Sequence, residues 1–129
     1  MSIAIVCTAL LGVLVFGLGL GVSMLRGSTK TNIGYNPDPG DKLYKMVRAH
    51  GNATEYAPMF AILMLLIGAR QPAAWMIWTC IAATLFRYLH AAGMILFPTL
   101  DRPNPLRFVG ALGTYLTGFA LVVAALMVR

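Results

Sequence analysis

Charge is scarce in this chain. Only 11% of its 129 residues are Asp, Glu, Lys or Arg, less than half of the roughly 25% usual in soluble domains. A soluble surface needs more than that, so an ordinary soluble domain fits poorly. Acidic residues are scarcest, with four against ten basic ones and a net charge of +6. That excess could suggest a nucleic-acid arm. However, apolar residues make up 59% of the chain, which argues against arms, disorder and coiled coils alike, and no nucleic-acid partner is expected. Cysteine is rare too. Cys7 and Cys80 lie in apolar runs with neither metal-ligand spacing nor a disulfide framework around them, so they read as buried small hydrophobes and no metal site is expected. Internal repeats are missing, and the length leaves room for one domain. What remains is a small polytopic membrane protein.

Residues 2–25 carry no charge. A helix needs about 20 apolar residues to cross a bilayer, so this run reads as a first span. It lacks the basic start of a signal peptide, its apolar run is too long for one, and the sequence opens at Met1. It is therefore expected to be retained. Gly17 and Gly21 form a small-xxx-small pair on it. A turn cluster, Asn36-Pro37-Asp38-Pro39-Gly40, interrupts the polar loop that follows, and Asp41 can cap the next helix. Residues 42–68 read as one long segment, polar in its first half and mostly apolar in its second. At 1.5 Å per residue it would be about 40 Å long, more than the roughly 30 Å hydrocarbon core, so its polar end should project into water or line a cavity.

The third span is expected over 73–97. Pro72 suits a first helical position, and Trp75 and Trp78 suit the membrane interface. Asn104-Pro105 reads as N-cap and first residue of a fourth span, 105–128. The expected fold is all-α: an integral membrane, antiparallel four-helix bundle in one domain. Arg26, Lys30, Lys42, Lys45 and Arg48 cluster around the first loop, and Arg102 and Arg107 around the third. The opposite face has Arg70 and Arg129. The positive-inside rule then puts both basic loops in the cytoplasm and both termini outside.

The chemistry concentrates on three helices. Arg48, Asn52 and Glu55 stand at i, i+4 and i+7, on one helical face, with Tyr56 beside them. His50 points elsewhere, toward a neighbouring helix or subunit. A solvated helix end would explain such a stripe, but this one runs directly into a membrane segment, where charge is expensive and usually functional. Pro58 frees the carbonyl of Thr54 where the stripe ends. On the third span Arg87 and His90 lie one turn apart. A buried arginine calls for a carboxylate, and Glu55 is the only acidic residue outside the loops and caps, so a structural Glu55–Arg87 pair is one alternative. Arg107, in the first turn of the fourth span, joins a positive dipole end with free N–H groups. That combination binds anions and favours thiolate over thiol; an interfacial arginine is the plainer alternative. Several arginines, a glutamate and an asparagine would complement carboxylates, an ammonium and amides. A small acidic peptide has all of these.

The stretch Arg48-Ala49-His50-Gly51-Asn52-Ala53-Thr54-Glu55-Tyr56-Ala57-Pro58 resembles the second-helix signature of the MAPEG family, the membrane-associated proteins in eicosanoid and glutathione metabolism. Arg87-Tyr88-Leu89-His90-Ala91 is similar to the family's third-helix Arg-x-x-His stretch, and Asn104-Pro105-Leu106-Arg107 to the Pro-x-Arg start of its fourth helix. The resemblance covers all four spans in order. It implies a homotrimer binding glutathione between subunits. Arg48, Asn52, Glu55 and Tyr56 would hold the peptide, with His50, Arg87 and His90 close by. Arg26 would match a helix-one arginine from a neighbouring subunit, a role for which Lys30 competes. Arg107 would match the arginine that stabilises the glutathione thiolate. A tyrosine that several eukaryotic members carry beyond the third-helix arginine is replaced here by Ala92-Gly93-Met94. Tyr88 and Tyr115 are the nearest substitute hydroxyls, each expected to contribute little. The short chain, without a long basic tail, looks more like bacterial members.

The resemblance implies a glutathione-dependent membrane transferase. Its thiolate would attack a lipophilic electrophile or reduce a lipid hydroperoxide, with the site facing the cytoplasm from a bacterial inner membrane. Two rival readings are a non-catalytic glutathione- or anion-binding membrane protein and a small multidrug transporter. The transporter would be expected to carry an acidic residue in its first span, and residues 2–25 have none.

Overall fold

A computed structural model describes residues 2–128, so Arg129 lies outside the described residues. Four helices follow in chain order: α1 (Ile3–Thr29), α2 (Lys42–Gly68), α3 (Ala74–Ile95) and α4 (Pro105–Met127). No strand occurs among the described residues. Three helices begin on a polar N-cap that satisfies an otherwise orphaned amide. Ser2 Oγ accepts from Ile5 N, Asp41 Oδ1 from Tyr44 N at 2.9 Å, and Asn104 Oδ1 from Arg107 N at 2.8 Å. Pro105 follows Asn104 as the first helical residue, where a missing N–H costs nothing. Pro58 sits inside α2, which stays continuous across it.

Two helices differ in their bounds from the expectation. The first helix does not stop at residue 25; it continues through Arg26 to Thr29 and ends at Lys30, in the left-handed conformation with φ 54. Charge marks where a helix leaves hydrocarbon, not where it stops. The Arg26 side chain closes the end by donating to the carbonyls of Gly34 at 2.8 Å and Thr31 at 3.3 Å. The third helix begins at Ala74, leaving Pro72 outside it, and ends at Ile95. Lys45, buried at the start of α2, explains that end. Its Nζ donates to the carbonyls of Phe97 (2.8 Å) and Ile95 (3.3 Å), a cation on a helix C-terminus.

Neighbouring helices run antiparallel. Gly68 at the end of α2 lies against Ala4 at the start of α1, and Gly93 near the end of α3 lies against Arg107 at the start of α4. At that loop end the two long loops meet, with Leu100 N donating to Pro39 O at 3.0 Å. The most extensive packing joins α1 to α2 and α3 to α4. The α3–α4 seam is close because of glycine: a Cβ at Gly110 would fall on the backbone of His90. On α1 the near approach is not at Gly17, which has open space beside it. It is at Gly19 and Gly21, which face His50 and Met46.

The apolar interior divides into two clusters. One contains Ala4, Cys7, Leu11, Phe60, Met64, Ile67, Cys80 and Leu121, and the other Leu14, Leu18, Ala49, Ala53, Ala91 and Met94. Cys7 and Cys80 are buried free thiols. Between the clusters, Arg87 reaches from α3 toward Asn52 on α2 and Thr114 on α4. Among the described residues, only α1 and α4 are long and apolar enough to pass as membrane spans on hydropathy alone. The polar layer is carried by α2 and α3, which lowers their hydropathy.

Candidate functional site

Arg87 is the centre of the polar layer. It is 1% exposed and the largest fully buried side chain among the described residues. Its Nη2 donates to Asn52 Oδ1 at 2.7 Å and to Asn52 O at 3.3 Å. Its Nη1 reaches Thr114 Oγ1 at 3.4 Å, a long contact. Its Nε is buried with no partner. The guanidinium carbon lies 4.9 Å from the centre of the Tyr56 ring, in cation–π range. The Tyr56 hydroxyl in turn lies 3.0 Å from that of Tyr115 on α4.

The alternative of a structural Glu55–Arg87 ion pair is not what the described residues show; Arg87 is held by the Asn52 amide instead. Helix geometry explains this. At about 100° per residue, Arg48 and Glu55 fall within about 20° of each other, while Asn52 turns about 40° and Tyr56 about 80° from Arg48 toward the buried side. That side is marked by Ala49, Ala53 and Ala57. The polar stripe therefore straddles the rim of the bundle. Asn52 and Tyr56 reach inward, while Arg48 and Glu55 are exposed.

A cavity of about 40 Å³ lies in this layer, lined by Asn52, Tyr56, Arg87, His90, Ala111, Thr114 and Tyr115. Two open recesses adjoin it. One, of about 240 Å³, shares His90 and Ala111 and adds Asn104, Arg107 and Phe108. The other, of about 190 Å³, shares Tyr56, Thr114 and Tyr115 and is otherwise walled by apolar side chains of α2 and α4. The small polar cavity thus lies between the two recesses and shares wall residues with each, His90 and Ala111 with one and Tyr56, Thr114 and Tyr115 with the other.

His90 is mostly buried, and its Nδ1 is 3.1 Å from the carbonyl of Arg107. That places it as a brace between α3 and α4 that also lines both polar spaces. Arg107 sits at the mouth of the larger one. Its Nη1 donates to Leu100 O at 2.8 Å, and the rest of its five-donor fork stays available. The expected set of free amides at the start of α4 is largely used up. Pro105 has no N–H, Arg107 N donates to Asn104 Oδ1, and Phe108 N to Asn104 O. Leu106 is left as the first-turn amide without a partner among the described residues. An anion here would rely chiefly on the guanidinium.

The other candidates lie apart. His50 is half-buried against Gly19 of α1, away from Arg87. Arg26 is engaged with its own loop. Tyr88 donates to Leu10 O on α1 at 2.8 Å and is structural. Thr114 was missed, and Tyr115 was expected only as a minor substitute. A readable signal existed: Arg107, Ala111, Thr114, Tyr115 and Gly118 recur at i, i+4, i+7, i+8 and i+11, one stripe down α4. No group of three or more His, Cys, Asp or Glu side chains that could hold a metal occurs among the described residues.

Comparison with curated proteins finds no match. A model of the MAPEG family matches residues 4–127. That match takes in every element of the polar layer, and the chain belongs to the MAPEG family, membrane helical bundles of glutathione- and eicosanoid-related transferase or related function.

Proposed function

We infer that this protein is a glutathione-dependent transferase that joins the glutathione sulfur to lipophilic electrophiles, with hydroperoxide reduction as a second reaction open to the same thiolate. The observation that carries the reading is the adjacency of two recesses, one lined by Arg107 and His90 and the other apolar between α2 and α4, on either side of the small polar cavity at Arg87 whose walls they share. A charged peptide and a lipid-soluble partner need two such environments side by side. The residues fit the peptide. Arg87 Nε is a buried donor without a partner, Arg107 keeps most of its fork, and Arg48 and Glu55 offer exposed charges of both signs for a carboxylate and an ammonium.

Glutathione is too large for a cavity of about 40 Å³. It would lie over the layer, on the outer rim where Arg48 and Glu55 stand. We propose that a second copy of the chain covers it there, in a homotrimer. Arg26 or Lys30 of a neighbouring copy would then be candidates to reach the peptide. Incubating the detergent-purified protein with glutathione and a generic electrophile tests the reading. Conjugation supports it, whereas binding without turnover favours a non-catalytic glutathione-binding protein.

Glu55→Gln separates binding from packing. Glu55 is exposed and pairs with nothing described in its own chain, so the substitution should leave thermal stability near wild type. Glutathione affinity should fall by about 1.5–3 kcal/mol, the worth of a hydrogen bond to a charged group. Unchanged affinity by calorimetry together with a collapse of stability would make Glu55 a structural residue.

We propose that the protein is a multi-pass protein of a bacterial inner membrane; the basic loops support an orientation with the termini outward and the Arg107 end in the cytoplasm. Single cysteines at Tyr35 and at Ser2, probed with a membrane-impermeant thiol reagent, test this. Labelling at Ser2 and not Tyr35 is expected from the outer face of intact cells, and the reverse pattern inverts the topology.

A further inference from the structure

Tyr56 and Tyr115 make a phenol pair whose chemistry the thiolate reading leaves unused. Their oxygens are 3.0 Å apart and their rings meet edge to face, 6.0 Å between centres. The pair forms part of the wall shared by the polar cavity and the apolar recess of about 190 Å³. Two phenols carry two O–H protons, and the bond between them uses one. The other is free. Thr114 is the only other side-chain hydroxyl lining that recess among the described residues, and it already donates to Gly110 O at 2.7 Å. The phenol pair is therefore the proton donor left to a molecule bound among Met59, Leu63, Phe119 and Val122.

We propose that Tyr115 is a catalytic residue for electrophiles that leave through oxygen, donating its phenolic proton to an epoxide oxygen as the glutathione sulfur attacks the ring carbon. This rests on the transferase reading above. The S–C bond forms, and the C–O bond breaks with its electron pair going to oxygen. That oxygen takes the Tyr115 proton. Tyr115 recovers a proton from Tyr56 along their hydrogen bond, and Tyr56 recovers from solvent the proton that the glutathione thiol released on ionising. The sum is glutathione plus epoxide giving a hydroxy-thioether. Arg87, over the Tyr56 ring, stabilises the pair while it is one proton short. An aryl chloride makes a contrasting substrate, because chloride departs without a proton.

Tyr115→Phe removes one oxygen and keeps the ring. The purified variant and wild type are compared with glutathione and either styrene oxide or chlorodinitrobenzene, and glutathione binding is measured by calorimetry. Turnover of styrene oxide should fall about 10²-fold, the lower range for a positioned general acid. The aryl chloride rate and the glutathione affinity should stay near wild type. Equal losses on both substrates, no loss on either, or a wild type active on the aryl chloride alone overturn the donor role and leave the transferase reading standing. A wild type that conjugates neither substrate overturns that reading, and the proposal with it.

Discussion

Arg107→Ala should lower turnover by about 10²–10³, the usual loss on removing one preorganised electrostatic donor, while glutathione affinity changes far less. The start of α4 explains why so much should rest on one side chain. A bare helix N-terminus would share an anion among several amides. Here Asn104 occupies the amides of Arg107 and Phe108, and Pro105 supplies none. The guanidinium is the remaining strong donor. It is fixed by its bond to Leu100 O at 2.8 Å, so it meets the developing sulfur charge without reorganising. Arg107→Lys should recover only part of the loss, because one ammonium cannot brace Leu100 and face the ligand as a fork does. Thiolate ultraviolet absorbance against pH, measured beside turnover, is the decisive readout: in Arg107→Ala the bound thiol should ionise at higher pH than in wild type. A near-normal Arg107→Ala beside a Tyr115→Phe that fails on every substrate would transfer thiol activation to the phenol.

The helices and their order were legible because their signals are local. Uncharged runs, Asp41 and Asn104 as caps, and the Pro-rich turn at 36–40 act through neighbours in sequence. The end of α1 was not legible, since Arg26 stops the helix only by folding back on Gly34. Nor was the role of Lys45, which depends on carbonyls some fifty residues away. The polar stripe of α2 was readable as one face, but its division into inward Asn52 and outward Glu55 depends on where α3 and α4 press against it. That division also decided the partner of Arg87. Charge counting pointed to the lone carboxylate, and packing supplied an amide. On α4, Arg107 stands out by its charge, whereas Thr114 and Tyr115 below it are unremarkable residues until Arg87 and Tyr56 meet them.

Asn52→Leu should destabilise the bundle by about 3 kcal/mol, the upper end for a hydrogen bond to a charged group. The double variant Asn52→Leu/Arg87→Met should recover most of that loss. Arg87 keeps its charge between two apolar clusters, and Asn52 Oδ1 at 2.7 Å is its one short contact. Its other contacts are at 3.3 and 3.4 Å, and Nε has none. Removing the amide therefore strands a buried cation, which is the costly way to break such a pair. Replacing both partners with apolar side chains of similar volume is often neutral or stabilising. A double-mutant cycle on thermal unfolding in detergent measures the difference, and a large coupling energy between positions 52 and 87 is expected. The stable double variant should nonetheless fail to bind glutathione, because the orphaned Nε and the oriented amide are gone together. A polar layer that is dispensable for folding and required for the ligand is kept for the ligand. If Asn52→Leu unfolds at the wild-type temperature, Arg87 does not depend on the amide, and this account of the layer fails. If the double variant still binds glutathione with wild-type affinity, the layer is structural, and the binding site lies on the outer charges alone.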